Sequence, residues 1–133
     1  MDLESLGILP AGDRELRGLS LWEPWGSYIR SGRKTIETRF HRTHYRGDLL
    51  ICATKKPEAP LSGHALCLVH LVDCRPMTPE DEEAAMVPCD PNRFAWVVED
   101  LRPVEPFLVK GAQGLWKVND EVRKKIKMVP SDG

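Results

Sequence analysis

From Gly18 to Val118 the chain is built of apolar runs short enough to be strands, each broken by proline, glycine or charge before a long helix can form. Leu19-Ser20-Leu21-Trp22, Leu49-Leu50-Ile51-Cys52-Ala53, the longer Ala65 to Asp73, Phe94 to Val98, and Leu115-Trp116-Lys117-Val118 all read as strands. Lys34 to Phe40 adds a strand of period two, with Lys34, Ile36 and Thr38 on one face and Thr35, Glu37 and Arg39 on the other. Helical signals are small. Glu23-Pro24 opens a segment, near Pro24 to Ser31, in which Trp25, Tyr28 and Ile29 share one side, and Gly32 suits its left-handed close. Thr78-Pro79-Glu80 suits a second helix start, and Glu121 to Lys127 a short lysine-rich helix. This order predicts a mainly β fold with short helices, an antiparallel β-barrel of about five or six strands rather than a doubly wound sheet. Trp25, Ile29, Ile51, Leu68 and Val97 are expected inside.

At 133 residues the chain has the size of one domain. Residues 1–17 mix glycine, proline and charge without a period and are expected to form an N-terminal arm. Residues 18–118 form the domain and 119–133 a basic C-terminal tail. No apolar run is long enough to cross a bilayer, so no membrane partner is expected. Met1-Asp2-Leu3-Glu4-Ser5 carries acids where a secretory signal carries bases, which points to a cytoplasmic protein. Cys52 and Cys67 lie within strand-like runs, and Cys74 and Cys89 form no Cys-x-x-Cys pair with them, so reduced thiols are expected. The histidines do not complete a zinc spacing, and no Gly-x-Gly-x-x-Gly or P-loop is present. Neither metal nor cofactor is expected.

The net charge of −1 conceals an uneven distribution. Arg30, Arg33, Lys34, Arg39, Arg42 and Arg46 cluster with His41 and His44, and Glu37 is the sole acid among them; Glu80, Asp81, Glu82 and Glu83 gather elsewhere. Such a run suits either a nucleic-acid footprint or a solvated face.

Gly32, Lys34, Glu37 and Arg39 fill the pattern Gly-x-Lys-x-x-Glu-x-Arg just after a short helix, and through it the chain resembles the ASCH family. Leu50-Ile51-Cys52-Ala53-Thr54-Lys55-Lys56, Leu71-Val72-Asp73-Cys74 and Gly111 to Val118, which ends in Gly-Leu-Trp-Lys-Val, are similar to its bacterial members. The resemblance spans roughly Gly18 to Val118. It implies a PUA-like β-barrel whose cleft, beside the Gly32 to Arg39 segment, is suited to RNA and to modified-base chemistry.

The residues themselves support that reading. Glu37 and Arg39 share a strand face, close enough to pair or to grip a polar ligand. Arginine suits phosphate or a base edge, and a carboxylate accepts from a nucleobase amino group. Lys34, expected on the other face, reaches the cleft if the turn after Gly32 redirects it, where it would hold phosphate or serve as a base or nucleophile. A structural ion pair for Glu37 with Arg39 and a solvated Lys34 are the plain alternatives. Trp22 and Trp116 suit base stacking, whereas Trp25 and Trp96 suit the core. Arg33, Arg42 and Lys55 would extend the nucleic-acid surface, and His41 and His44 receive no catalytic role.

Three functions follow for comparison. The first is an RNA or modified-nucleoside binder using Trp22, Arg33, Arg39, Arg42, Lys55 and Trp116. The second is an enzyme with Lys34 and Glu37 catalytic. One bacterial branch of the resembled family hydrolyses N4-acetylcytidine, using the matching lysine with a threonine three residues later and a distant carboxylate. Here Glu37 occupies the threonine position and the distant carboxylate has no matched counterpart, so related acylated nucleosides or ribonuclease chemistry stay open. The third is a protein-interaction module. The sequence carries no signal for oligomeric state.

Overall fold

The computed structural model describes residues 15–130. Its strands are β1 (Leu16–Leu21), β2 (Ile36–Arg39), β3 (Gly47–Ala53), β4 (His64–Pro76), β5 (Phe94–Leu108) and β6 (Leu115–Lys117). Its helices are α1 (Trp25–Arg30), α2 (Glu82–Ala85) and α3 (Asp120–Lys125), with a 3₁₀ turn, Pro79–Asp81, leading into α2. The strands form one curled half-barrel sheet of six in the order β2-β5-β4-β3-β1-β6. β1 runs parallel to β3, and every other pairing is antiparallel. The expected mainly β class and strand number match this architecture. The expected N-terminal arm lies outside the described residues except at its end, where Leu16 and Arg17 already pair in β1.

β3 explains why its sequence is a continuous apolar run instead of an alternation. Leu49, Ile51 and Ala53 enter one core with Leu19, Leu21 and Ile29, whereas Leu50 and Cys52 enter a second core with Leu16, Leu68, Val118, Ile126 and Met128. The central strands are therefore covered on both faces, the second by the segment after β6. That segment is tied down: Asn119 accepts from the Val122 amide at 2.9 Å to cap α3, and Val104 bridges to Met128. Ile29, Ile51 and Leu68 are buried; Trp25 and Val97 are only partly so. Each fully buried aliphatic side chain of this kind contributes about 1.5–3 kcal/mol relative to exposure.

β4 and β5 are longer than their apolar runs suggest. Pro103 and Pro106 break the pattern of β5, yet the strand continues to Leu108 with register shifts at Ala65/Cys67 and Leu68/His70 flanking the prolines. Cys52, Cys67, Cys74 and Cys89 are all unpaired thiols. Among the described residues no helix is long and apolar enough to cross a membrane.

Candidate nucleic-acid interface

β2 lies at one edge of the sheet, and a cleft opens between it and the end of β1 with the loop that precedes β6. One wall comprises the end of β1, Trp22, Trp25 and the loop Ala112 to Gly114; the other comprises Lys34, Glu37 to His41, Val87 to Pro91 and Arg93. Its volume, about 1320 Å³, exceeds the roughly 300–1,000 Å³ of an ordinary small-molecule pocket, leaving room for more than one nucleoside.

The first wall is set by a short helix whose first turn is tied to Glu23. Glu23 precedes a cis peptide to Pro24, and its carboxylate accepts from the Ser27 amide at 2.8 Å and from the Ser27 hydroxyl. These bonds satisfy donors of the first turn of α1 and hold the turn carrying Trp22. Gly26 lets the helix approach β4, since a Cβ there would lie 2.8 Å from Leu66 Cδ1. Ile29 is buried beneath, and Trp22 is left 68% exposed at the cleft mouth. Trp25 and Tyr28 meet edge to face, 5.9 Å between ring centres.

α1 closes at Gly32, whose φ of 83° lets its amide donate to Ile29 O, and the next turn sends the Lys34 amide to Tyr28 O at 3.0 Å. Lys34 therefore lies outside β2 and escapes the strand alternation. Its ammonium donates to Ala85 O, sits 5.0 Å from the centre of the Trp25 ring and lies 3.9 Å from Glu37 Oε1. Only 2% of Lys34 is exposed. Burial pushes it below lysine's ordinary value, with Glu37 opposing and Arg93 adding to the shift. Glu37 is pushed above the ordinary carboxylate value by burial, against Lys34, Arg39 and the Thr38 backbone. Glu37 Oε2 faces Arg39 Nη1 at 3.4 Å.

The α2 side holds this floor in place. Asp81 accepts from both terminal nitrogens of Arg75 at 2.7 and 2.8 Å and from the Thr78 amide at 2.9 Å. The Thr35 amide in turn donates to Ala84 O, which fastens β2 to α2 beside the Ala85 carbonyl used by Lys34.

Trp22, Lys34, Glu37 and Arg39 thus border one cleft. Arg42 is exposed beside it with its guanidinium 5.0 Å from the Phe94 ring. Arg33, Lys55 and Trp116 do not line it. Arg33 stacks on Tyr28, Lys55 is exposed beyond β3, and Trp116 packs over Gly18 while donating its indole N–H to Ser20 Oγ at 3.3 Å. Arg93 and Phe40 were missed by sequence reasoning. The pairing of Arg39 with Phe94 brings them together, and nothing local in the sequence announces that register. Among the described residues no cluster of histidine, cysteine or acid residues suits a metal ion.

The ASCH domain matches residues 19–107. A crystal structure of ASCH from Zymomonas mobilis is similar with a TM-score of 0.66 at 19% identity, covering 85% of this chain and 94% of that one. Two single-substitution variants of the Zymomonas mobilis protein are similar as well, with TM-scores of 0.64 and 0.63 at 17% and 19% identity. They cover 84% and 88% of this chain and 96% of their own in both cases. At such identities the likeness establishes the fold. No curated protein matches the chain.

Proposed function

Because the chain belongs to the ASCH domain family, which supports a general RNA-binding or related function, we propose that its cleft binds RNA or a modified nucleoside. One observation carries this reading: a buried Lys34–Glu37 pair forms the floor of a cleft whose mouth is the exposed indole of Trp22. A nucleobase presents the complementary surfaces, a π face for the indole and a polar edge for the floor. Arg39 and Arg42 supply positive charge beside it, suited to a ribose-phosphate backbone.

A titration with single-stranded RNA at several salt concentrations tests the reading. Affinity should fall as salt rises, because neutralised phosphates release counterions. Glu37→Gln and Lys34→Met should change affinity for base-bearing ligands. Absent or salt-independent binding would remove the proposal.

The opposed displacements of Lys34 and Glu37 favour a second reading, hydrolysis of N4-acetylcytidine, a related acylated nucleoside or RNA. A lysine held below its ordinary value beside a carboxyl held above its own suits proton transfer between the pair and a ligand. Incubation with those substrates decides this: turnover that vanishes in both variants supports it, and turnover unchanged in both removes Lys34 and Glu37 from the chemistry.

A further inference from the structure

Three arginines on the β2 side of the cleft are held by rings. The Arg93 guanidinium lies 4.1 Å from the centre of the Phe40 ring, that of Arg42 5.0 Å from Phe94, and that of Arg39 5.8 Å from Trp96. Two arginines away from the cleft are closely neutralised by contrast: Arg75 is forked on Asp81, and Arg102 reaches Asp48 at 2.8 Å. At the cleft the carboxylates are distant or shared. Asp90 stands 3.8 Å from Arg93 Nε, and Glu37 serves Arg39 and Lys34 together. Arg93 Nη1 donates to Thr38 O at 3.1 Å and approaches Thr38 Oγ1 at 3.4 Å, which fixes the guanidinium plane. Among the described residues, Nη2 of Arg93 and both Nε and Nη2 of Arg39 donate no hydrogen bond.

Resting on the reading that the cleft takes a nucleobase, we infer that Arg93 and Arg39 form a phosphate subsite on its β2 side. The ligand is then a phosphate ester of a nucleoside, which narrows the class by setting aside the bare nucleoside. A guanidinium already oriented by a ring and a carbonyl loses little freedom on binding, and its fork matches phosphate oxygens in a way a lysine does not. The charge balance agrees. Lys34, Arg39 and Arg93 line the cleft against only two carboxylates, Glu37, which Arg39 and Lys34 share, and Asp90. Asp90 is the counterion that a phosphate would displace from Arg93. A mononucleotide and an RNA strand both offer this chemistry.

Calorimetric titration with ribonucleosides, their monophosphates and a short single-stranded oligoribonucleotide tests the subsite in the wild type, Arg93→Gln, Arg39→Gln and Asp90→Asn. Monophosphates should bind the wild type about tenfold to a hundredfold more tightly than nucleosides, the worth of one charge-assisted hydrogen bond. Arg93→Gln and Arg39→Gln should each reduce that gain, read as the ratio of monophosphate to nucleoside affinity within each variant. Asp90→Asn keeps the Oδ1 that accepts from the Asn92 amide, and by removing a negative charge it should enlarge the gain. If Arg93→Gln unfolds for want of its bond to Thr38, Asp90→Asn carries the test, and an unaltered gain there overturns the subsite. An oligoribonucleotide that binds more tightly than any monophosphate identifies a strand as the source, and equal affinity identifies a mononucleotide. Nucleosides and monophosphates binding equally would overturn the phosphate subsite and spare the base-binding reading. If none of the three ligand types binds, that reading falls as well.

Discussion

Lys34 and Glu37 approach to 3.9 Å although strict strand alternation would set them on opposite faces. Lys34 belongs to the turn that follows Gly32, and β2 begins only at Ile36. A residue's face in a strand is fixed by parity only once the strand has begun, so the turn is free to bring the lysine under its carboxylate.

The pair makes the titration of each member depend on the other. Glu37 is the one influence that raises Lys34, set against burial and Arg93. Glu37→Gln should therefore move the Lys34 titration further down, as read by NMR of its side chain. A lysine whose folded value lies below its ordinary 10.5 sheds its proton first in the folded chain. Stability then rises with pH through that window and levels off above the ordinary value. In Glu37→Gln the window should widen toward lower pH; an unmoved Lys34 would show that the pair is not coupled.

Trp22 tests the aromatic mouth. At 68% exposure its side chain contributes little packing, so Trp22→Ala should change stability by no more than about 0.5 kcal/mol. If a base stacks there, the same substitution should weaken RNA binding by about 1–3 kcal/mol. Unchanged affinity in a variant with unchanged melting would exclude stacking at this ring.

Asp81 links acid stability to the cleft floor. The Arg75 fork holds its carboxyl down at about 2, so its contribution is complete above the ordinary 3.8 and is lost as pH falls through about 2. Asp81→Asn should flatten denaturation curves across that acid range and weaken the turn before α2 by about 1 kcal/mol, as loss of a cap does. Curves as steep as the wild type's would show that other carboxylates set the acid limit.

Gly18 is closed to any larger residue by Trp116. A Cβ at this position would lie 2.2 Å from Trp116 Cε2, so Gly18→Ala should cost about 1–3 kcal/mol in urea unfolding through overpacking. A variant as stable as the wild type would mean that the indole is readily displaced and available to a ligand.

The strands, the short helix after Trp22 and the segment from Gly32 to Arg39 were legible because their signals are local: apolar runs, a proline start, a glycine stop and a motif of fixed spacing. The extent of β5 was not, because Pro103 and Pro106 argue against a strand and only bulges in its pairing with β4 accommodate them. Arg93 was illegible for a related reason. It lies one residue before β5 and meets Phe40 only through the β2–β5 register, a long-range choice that no window of sequence contains. Trp116 shows the converse: an aromatic on the closing strand suggests a platform, yet Gly18 on the neighbouring strand offers the space that its ring fills.

The partner of β2 is β5, with Ile36 opposite Val97, so the segment that lines the cleft is synthesised well before the strand that gives it shape. Contacts of such long sequence separation form late, since the intervening chain must first be ordered. A nascent chain that has exposed Arg30 to Arg46 but not yet Phe94 to Val98 presents that basic segment without the cleft, able to attract a polyanion by charge and unable to distinguish one ligand from another. The shape of the cleft is in this sense among the last properties the chain acquires, after the positive charge of one of its walls.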